Sequence, residues 1–163
     1  MLFFFIIKIF IYLNIFDIIK RKEVKNLFND LIEMYYKGKE YTQDNIGKNR
    51  ILINKEGCNL IIDKNNKEDH GYYIVESIQG HDCYSYNSLS THIYSVIEGE
   101  GEFIIDNIII PVKKGDIINI EPNKIFYYKG KMLLGLEMVP NFKEEHNHIV
   151  EYVPYNAKKK GYK

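Results

Sequence analysis

Tryptophan is absent from the chain, and cysteine occurs only twice. Cys58 and Cys83 lack the CxxC spacing of a zinc or redox motif, and one pair of cysteines makes no disulfide framework. They read as reduced thiols of a cytoplasmic protein. An excess of charge is also missing, since 22 Lys+Arg balance 22 Asp+Glu. A neutral chain leaves no basic footprint, which sets nucleic acid aside as a partner. With 163 residues there is room for one domain with a proper core and not for two. The abundant Ile, Lys, Asn, Tyr and Phe have AT-rich codons, so the tyrosine count by itself carries no functional weight.

The start of the chain, MLFFFIIKIFIYLNIFDII, is nearly long enough to span a bilayer. Lys8, Asn14 and Asp17 interrupt it at positions costly in lipid. No basic residue precedes the run and no small-residue cleavage site follows it, which argues against a secretory signal. Lys20, Arg21 and Lys22 follow and would hold the remainder on the cytoplasmic side if the run inserted. Three readings of residues 1–21 stay open: a poor membrane anchor, an apolar helix that docks on the remainder or on a partner subunit, or an upstream extension of the reading frame. Residues 22–48 form a second segment. Val24, Leu27, Phe28, Leu31, Ile32 and Tyr35 recur at helical spacing, predicting an amphipathic helix that packs its apolar stripe, followed by a polar linker.

From residue 51 onward short apolar runs alternate with turn residues. The runs cover 51–53, 60–62, 72–78, 94–97, 103–105, 108–110, 117–120, 125–128 and 132–139. Glu56-Gly57, Gly99, Lys114-Gly115 and Lys129-Gly130 punctuate them. Many short strands at close spacing predict an all-β barrel or sandwich over residues 49–142. Asp106-Asn107 should form the tip of a hairpin, because both residues tolerate left-handed backbone angles. Residues 143–163 read as a polar tail ending in a lysine run, and His146 and His148 within it read as a surface pair.

Two stretches carry a more specific signal. Residues 94–106 read YSVIEGEGEFIID, and residues 112–123 read VKKGDIINIEPN. Gly80 is followed six positions later by Tyr86, and Ser88, His92 and Gly99 continue the spacing. Gly115 opens a second set, with Glu121, Asn123, Phe126 and Gly130 behind it and Pro122 shifted by one. In this spacing the chain resembles the cupin superfamily over about a third of its length. The resemblance implies a single cupin-type barrel, a double-stranded β-helix or jelly roll, with an N-terminal helical segment.

In that family two histidines and a glutamate of the first motif and one histidine of the second hold a divalent metal. Carried over residue by residue, those positions hold Tyr86, Ser88, His92 and Phe126. Only His92 is a competent ligand, and one imidazole does not hold a transition metal against water. No metal and no other cofactor is therefore expected, unless ligands such as Glu137, His81 or Asp82 come from elsewhere.

A barrel of this size still encloses a pocket for one small molecule. Strand alternation predicts a lining in which His92, Tyr94 and Val96 share one face, Tyr86 and Ser88 another, and Phe126 and Tyr128 a third. Aromatic rings interleaved with hydroxyls and an imidazole suit a carbohydrate or sugar-nucleotide. His92, Tyr94 and Glu137 are the candidate catalytic residues, with His92 as the proton-transfer group because imidazole titrates near neutrality. Tyr86, Ser88, Phe126 and Tyr128 are the candidate ligand-binding residues. The resulting expectation is a metal-independent, cytoplasmic, homodimeric cupin of carbohydrate metabolism that binds a sugar or isomerises it by His/Tyr acid–base chemistry. A non-catalytic sensor or assembly subunit, and a metal enzyme with displaced ligands, remain as alternatives.

Overall fold

A computed structural model describes residue 22 and residues 24–155. The three readings of residues 1–21 and the lysine run at the end of the chain lie outside the described residues. The chain divides into two compact units, residues 1–40 and residues 41–163. In the first unit, helical backbone at residues 24–27 passes through a turn at Phe28 into helix α1, Asn29–Tyr36. Val24, Phe28, Leu31 and Ile32 are buried, which is the stripe expected from the apolar spacing. No helix among the described residues is long and apolar enough to cross a membrane.

The second unit is a curled antiparallel sheet of ten strands. In chain order they are β1 Arg50–Asn54, β2 Cys58–Asp63, β3 Gly71–Ser77, β4 Cys83–Asn87, β5 Thr91–Ile105, β6 Ile108–Lys113, β7 Ile117–Ile120, β8 Phe126–Lys129, β9 Met132–Val139 and β10 Asn147–Tyr152. The spatial order is β1-β2-β3-β9-β5-β8-β4-β10, with β6 and β7 also paired to β5. The all-β barrel expected from the sequence is what the chain forms. The expected hairpin is present too, with Ile105 opposite Ile108 and Asp106 and Asn107 at φ 47° and 66°.

Strand β5 is the spine. Its first half pairs with β7 and β9, and its second half pairs with β6 and β8. The change of partners coincides with a register shift between Val96 and Glu98 and with Gly99 at φ 86°. A β-carbon at Gly99 would lie 2.2 Å from the Lys131 carbonyl oxygen, so only glycine lets the two strands approach at this corner.

Two faces of this bent sheet meet over one core. One face supplies Tyr73, Val75, Tyr94, Leu134, Leu136 and Met138, and the other Phe103, Phe126 and Tyr128. Phe103 is fully buried, with its ring 5.1 Å from Tyr94 and 5.3 Å from Tyr128. Such offset aromatic pairs add about 0.5–1.5 kcal/mol each beyond the area they bury.

One boundary needs correction. Strand β10 lies beyond residue 142, in the segment read as a polar tail, yet it pairs with β4 from Asn147↔Asn87 to Tyr152↔Cys83. It is an edge strand with little apolar alternation, so its sequence looked like tail. Of the histidine pair read as surface groups, His148 is exposed and His146 is half-buried. His146 Nδ1 lies 3.2 Å from the Ser88 hydroxyl, and the His148 ring stacks on Tyr86.

Truncating Phe103→Ala should cost about 3–5 kcal/mol of unfolding free energy, because it empties the centre of the aromatic cluster. Equilibrium urea unfolding checks this.

Candidate functional site

A cavity of about 330 Å³ opens into the barrel. Its deep wall comes from the buried rings of Tyr94, Phe126, Tyr128 and His92, and its mouth from the more exposed Ile53, Phe142, Ile149 and Tyr152. Between them sit His81, Asp82, Cys83, Ser85 and Lys55. The interior therefore changes from hydroxyl- and imidazole-bearing rings inside to an apolar rim outside.

Four of the residues expected to line the pocket do so: His92, Tyr94, Phe126 and Tyr128. Four expectations are corrected, the first being Val96, which packs in the hydrophobic core and does not line the cavity. Tyr86 and Ser88 do not face the lumen. On β4 the buried positions are Cys83, Ser85 and Asn87, so Tyr86 points outward onto His148 and Ser88 meets His146. Counting from Gly80 set the parity one residue off, and in a strand that exchanges the two faces completely. Glu137 is buried, but on the face of β9 opposite Leu136 and Met138. There it is hydrogen-bonded to the ring of His70, which stacks on Tyr72. It cannot act as a second base in the cavity.

The residue that sequence reasoning placed only among stray metal ligands is His81. It stands just before β4, its backbone N–H donates to the Tyr128 carbonyl at 2.8 Å, and its ring lies 5.1 Å from that of Tyr128. Its Nδ1 is hydrogen-bonded to the Cys83 carbonyl oxygen. A carbonyl can only accept, so Nδ1 carries the proton and Nε2 keeps its lone pair. Nε2 lies 3.6 Å from Asp82 Oδ1, and Lys55 Nζ lies 3.4 Å from the same oxygen.

Burial separates the titrations of these groups. It lowers the pKa of His81, although the Asp82 carboxylate and the Cys83 carbonyl work the other way. Burial works to raise Asp82, but Lys55 and His81 outweigh it and the carboxyl titrates below its ordinary range. Tyr94 and Tyr128 are raised well above the usual phenol range by burial, and then by neighbouring thiols. Burial, followed by Asp82, pushes the Cys83 thiol up to about 11. Burial lowers His92 to about 4, leaving it neutral. At neutral pH the cavity thus presents uncharged imidazoles, protonated phenols and one carboxylate paired with a lysine.

The metal positions of the cupin resemblance do not fit a metal here. The inward positions of β4 are a thiol and a serine, and Phe126 stands opposite. Among the described residues His81, Asp82 and Cys83 do gather ligand atoms within 4.8 Å of one another. Using them would break the Lys55–Asp82 ion pair and deprotonate a thiol held at about 11.

No protein-family model and no curated protein matches the chain. Solved structures do match in fold. Pac13, described as a unique nucleoside dehydratase, aligns with TM-score 0.64 and 25% identity over 71% of this chain and 92% of its own. Three Streptomyces Pac13 variants with uridine, each replacing a histidine or one of two tyrosines, align at 24% identity over the same shares with TM-scores of 0.63 to 0.64. KdgF from Halomonas aligns with TM-score 0.52 and 14% identity, over 58% of this chain and 90% of its own. An RmlC-like cupin from Shewanella frigidimarina gives 0.51 and 16%, over 61% and 90%.

The depressed His92 pKa has a measurable consequence. Unfolded, the imidazole binds its proton near 6.5, whereas folded it does so only near 4. Between these values the unfolded state holds more protons, so stability rises with pH there and is lost as pH falls from 6.5 to 4. The loss should be about 3 kcal/mol, with His81 adding in the same direction. Urea unfolding of wild type and His92→Gln across this window checks it: the His92 share should vanish in the variant.

Proposed function

We propose that this chain, a small cupin-type double-stranded β-helix that binds a small molecule, takes a nucleoside and carries out metal-independent proton transfer on its sugar. Removal of water is the reaction the site supports best. The observation that carries this reading is the trio His81, Tyr94 and Tyr128. All three line one cavity, with Tyr128 in ring contact with His81 at 5.1 Å and with Tyr94 at 5.6 Å. Tyr94 lies 13 positions after His81, and Tyr128 lies 34 positions after Tyr94. The histidine and two tyrosines replaced in the uridine-bound Pac13 variants stand at the same two intervals. The general base is thus assigned to His81 rather than His92.

The protonation states suit an elimination. Neutral His81 takes a proton from a sugar carbon next to a carbonyl through Nε2, and Asp82 stabilises the imidazolium that forms. The electron pair left on carbon forms a C=C bond as the hydroxyl on the next carbon departs with a proton from a tyrosine, as water. The phenols that burial keeps protonated can supply the proton with which the hydroxyl leaves as water. Proton return from His81 to the phenolate resets the site. No oxidant is required, and isomerisation of the same sugar would begin with the same proton abstraction.

The cavity also suits the two halves of a nucleoside. Sugar hydroxyls meet the polar inner groups, and a flat base meets Phe142, Ile149 and Tyr152 at the rim. A cytoplasmic location and a homodimer belong to the same proposal. Two buried thiols outside any disulfide support the first, and exposed Val150 on edge strand β10 supports the second.

Uridine binding followed by NMR, together with water loss from uridine derivatives bearing a carbonyl on the sugar, tests the proposal. Tyr128→Phe and His81→Gln should each cost about 100-fold or more in turnover with smaller effects on uridine affinity. Turnover unaffected in both variants would sink the assignment, and uridine binding without turnover would favour a ligand sensor. Treatment with a chelator should change neither binding nor turnover; a stoichiometric transition metal whose removal abolishes them would overturn the metal-independent mechanism.

A further inference from the structure

The backbone carrying His81 is held in an unusual way. The His81 carbonyl accepts a hydrogen bond from the Tyr155 hydroxyl at 2.7 Å. Because a carbonyl cannot donate, the Tyr155 proton is committed to it. The Tyr155 oxygen is then left to accept from the Tyr127 hydroxyl, also at 2.7 Å. The result is a one-way chain, Tyr127 to Tyr155 to His81, whose outer ring is stacked on Tyr84 at 4.8 Å. The next carbonyl, that of Asp82, accepts from the Val153 N–H at 2.9 Å. Two consecutive carbonyls are thus gripped by one three-residue stretch of the C-terminal segment, while the His81 N–H is gripped by β8.

The ring of Tyr155 sits in a slot shaped for it. A β-carbon at Gly57 would lie 2.6 Å from Tyr155 Cε2, and one at Gly80 would lie 2.6 Å from the Tyr155 hydroxyl. The Gly57 carbonyl in turn accepts from the N–H groups of Ile78, Gln79 and Gly80 at 3.0, 2.9 and 3.2 Å. The loop leading into His81 is therefore fixed to the same two glycines against which Tyr155 packs. Tyr155 itself does not line the cavity. Burial and its bond with Tyr127 hold its phenol well above the ordinary range, so it remains a donor.

We propose that Tyr155 is a positioning residue for His81, and that residues 153–155 complete the site by clamping the backbone that orients its imidazole. This rests on the reading of His81 as the base. The link is geometric. His81 Nδ1 is bonded to the Cys83 carbonyl, so the direction of Nε2 follows the peptide planes between residues 81 and 83. Those planes are set by Tyr155 from one side and Val153 from the next. A site formed by the strands alone would hold the ring of His81 near the lumen without fixing its lone pair on a substrate carbon, and small displacements of that kind cost large factors in rate.

Tyr155→Phe tests this, since it keeps the ring in its slot and removes only the donor. Tyr127→Phe removes the donor behind it and should give a weaker version of the same effect. In Tyr155→Phe the His81 imidazole, followed by NMR, should titrate closer to 6.5 than in wild type. Exchange of the His81 amide should quicken about tenfold, and uridine should bind about tenfold more weakly. His92 titration and the thermal midpoint should hardly move. Unchanged His81 titration and exchange would overturn the proposal. So would a uniform loosening, in which the midpoint falls and core amides exchange faster together, because Tyr155 would then be a packing residue only. If wild type fails to bind uridine, the functional reading falls, while the titration and exchange measurements still decide whether Tyr155 positions His81.

Discussion

Strand β5 belongs to both faces of the barrel, and the rest of the structure follows from that double membership. Fifteen residues are too many for a straight strand to keep one set of partners in so small a domain. The bend at Val96–Gly99 lets the first half pair with β7 and β9 and the second half with β6 and β8. Tyr94 on the first half and Phe103 on the second thereby come within 5.1 Å although nine positions apart in the chain. Without the corner, the strands would form two sheets with separate apolar faces. With it, the same alternation that buries Tyr94 and Phe103 leaves a lumen between them and β8.

Burial in that lumen does chemical as well as packing work. The groups that titrate there start from ordinary values of 6.5 for histidine and 10.0 for tyrosine, and desolvation moves them in opposite directions. Histidines lose protons more readily and phenols hold them more tightly, which widens the gap between proton acceptor and proton donor. A low-dielectric wall is thus enough to keep the imidazoles unprotonated and the phenols protonated, with Asp82 and Lys55 placing one paired charge beside His81.

The sequence carried the architecture better than the site. Turn chemistry at Asp106-Asn107, the spacing of Gly99, Gly115 and Gly130, and the runs that became β7 and β9 are local signals, set by backbone sterics, and they transfer directly to structure. Membership in the cavity depends instead on strand parity. On β5 and β8 counting every second residue from the motif positions His92 and Phe126 reached Tyr94 and Tyr128, and all four line the lumen. On β4 every alternate residue is a tyrosine facing outward, and the inward Cys83 and Ser85 looked less like a site than Tyr86 and Ser88. Glu137 sits in a run of buried residues whose two faces the sequence does not distinguish. His81 precedes its strand, and Tyr155 acts across 74 positions of chain, so neither has a local pattern to reveal it.

Cys58 and Cys83 give the cavity a further property. Both thiols border a space in which, on the mechanism above, a carbonyl-bearing sugar would be held, and thiolates add to carbonyls. Cys83 is held protonated by burial and by the adjacent Asp82 carboxylate. Since the thiolate is the reacting form, almost none of it exists at neutral pH. The carboxylate that steadies His81 therefore also silences its sulfur neighbour. On the proposed mechanism, one negative charge would both support the proton transfer and guard the barrel against covalent self-poisoning by an electrophilic ligand.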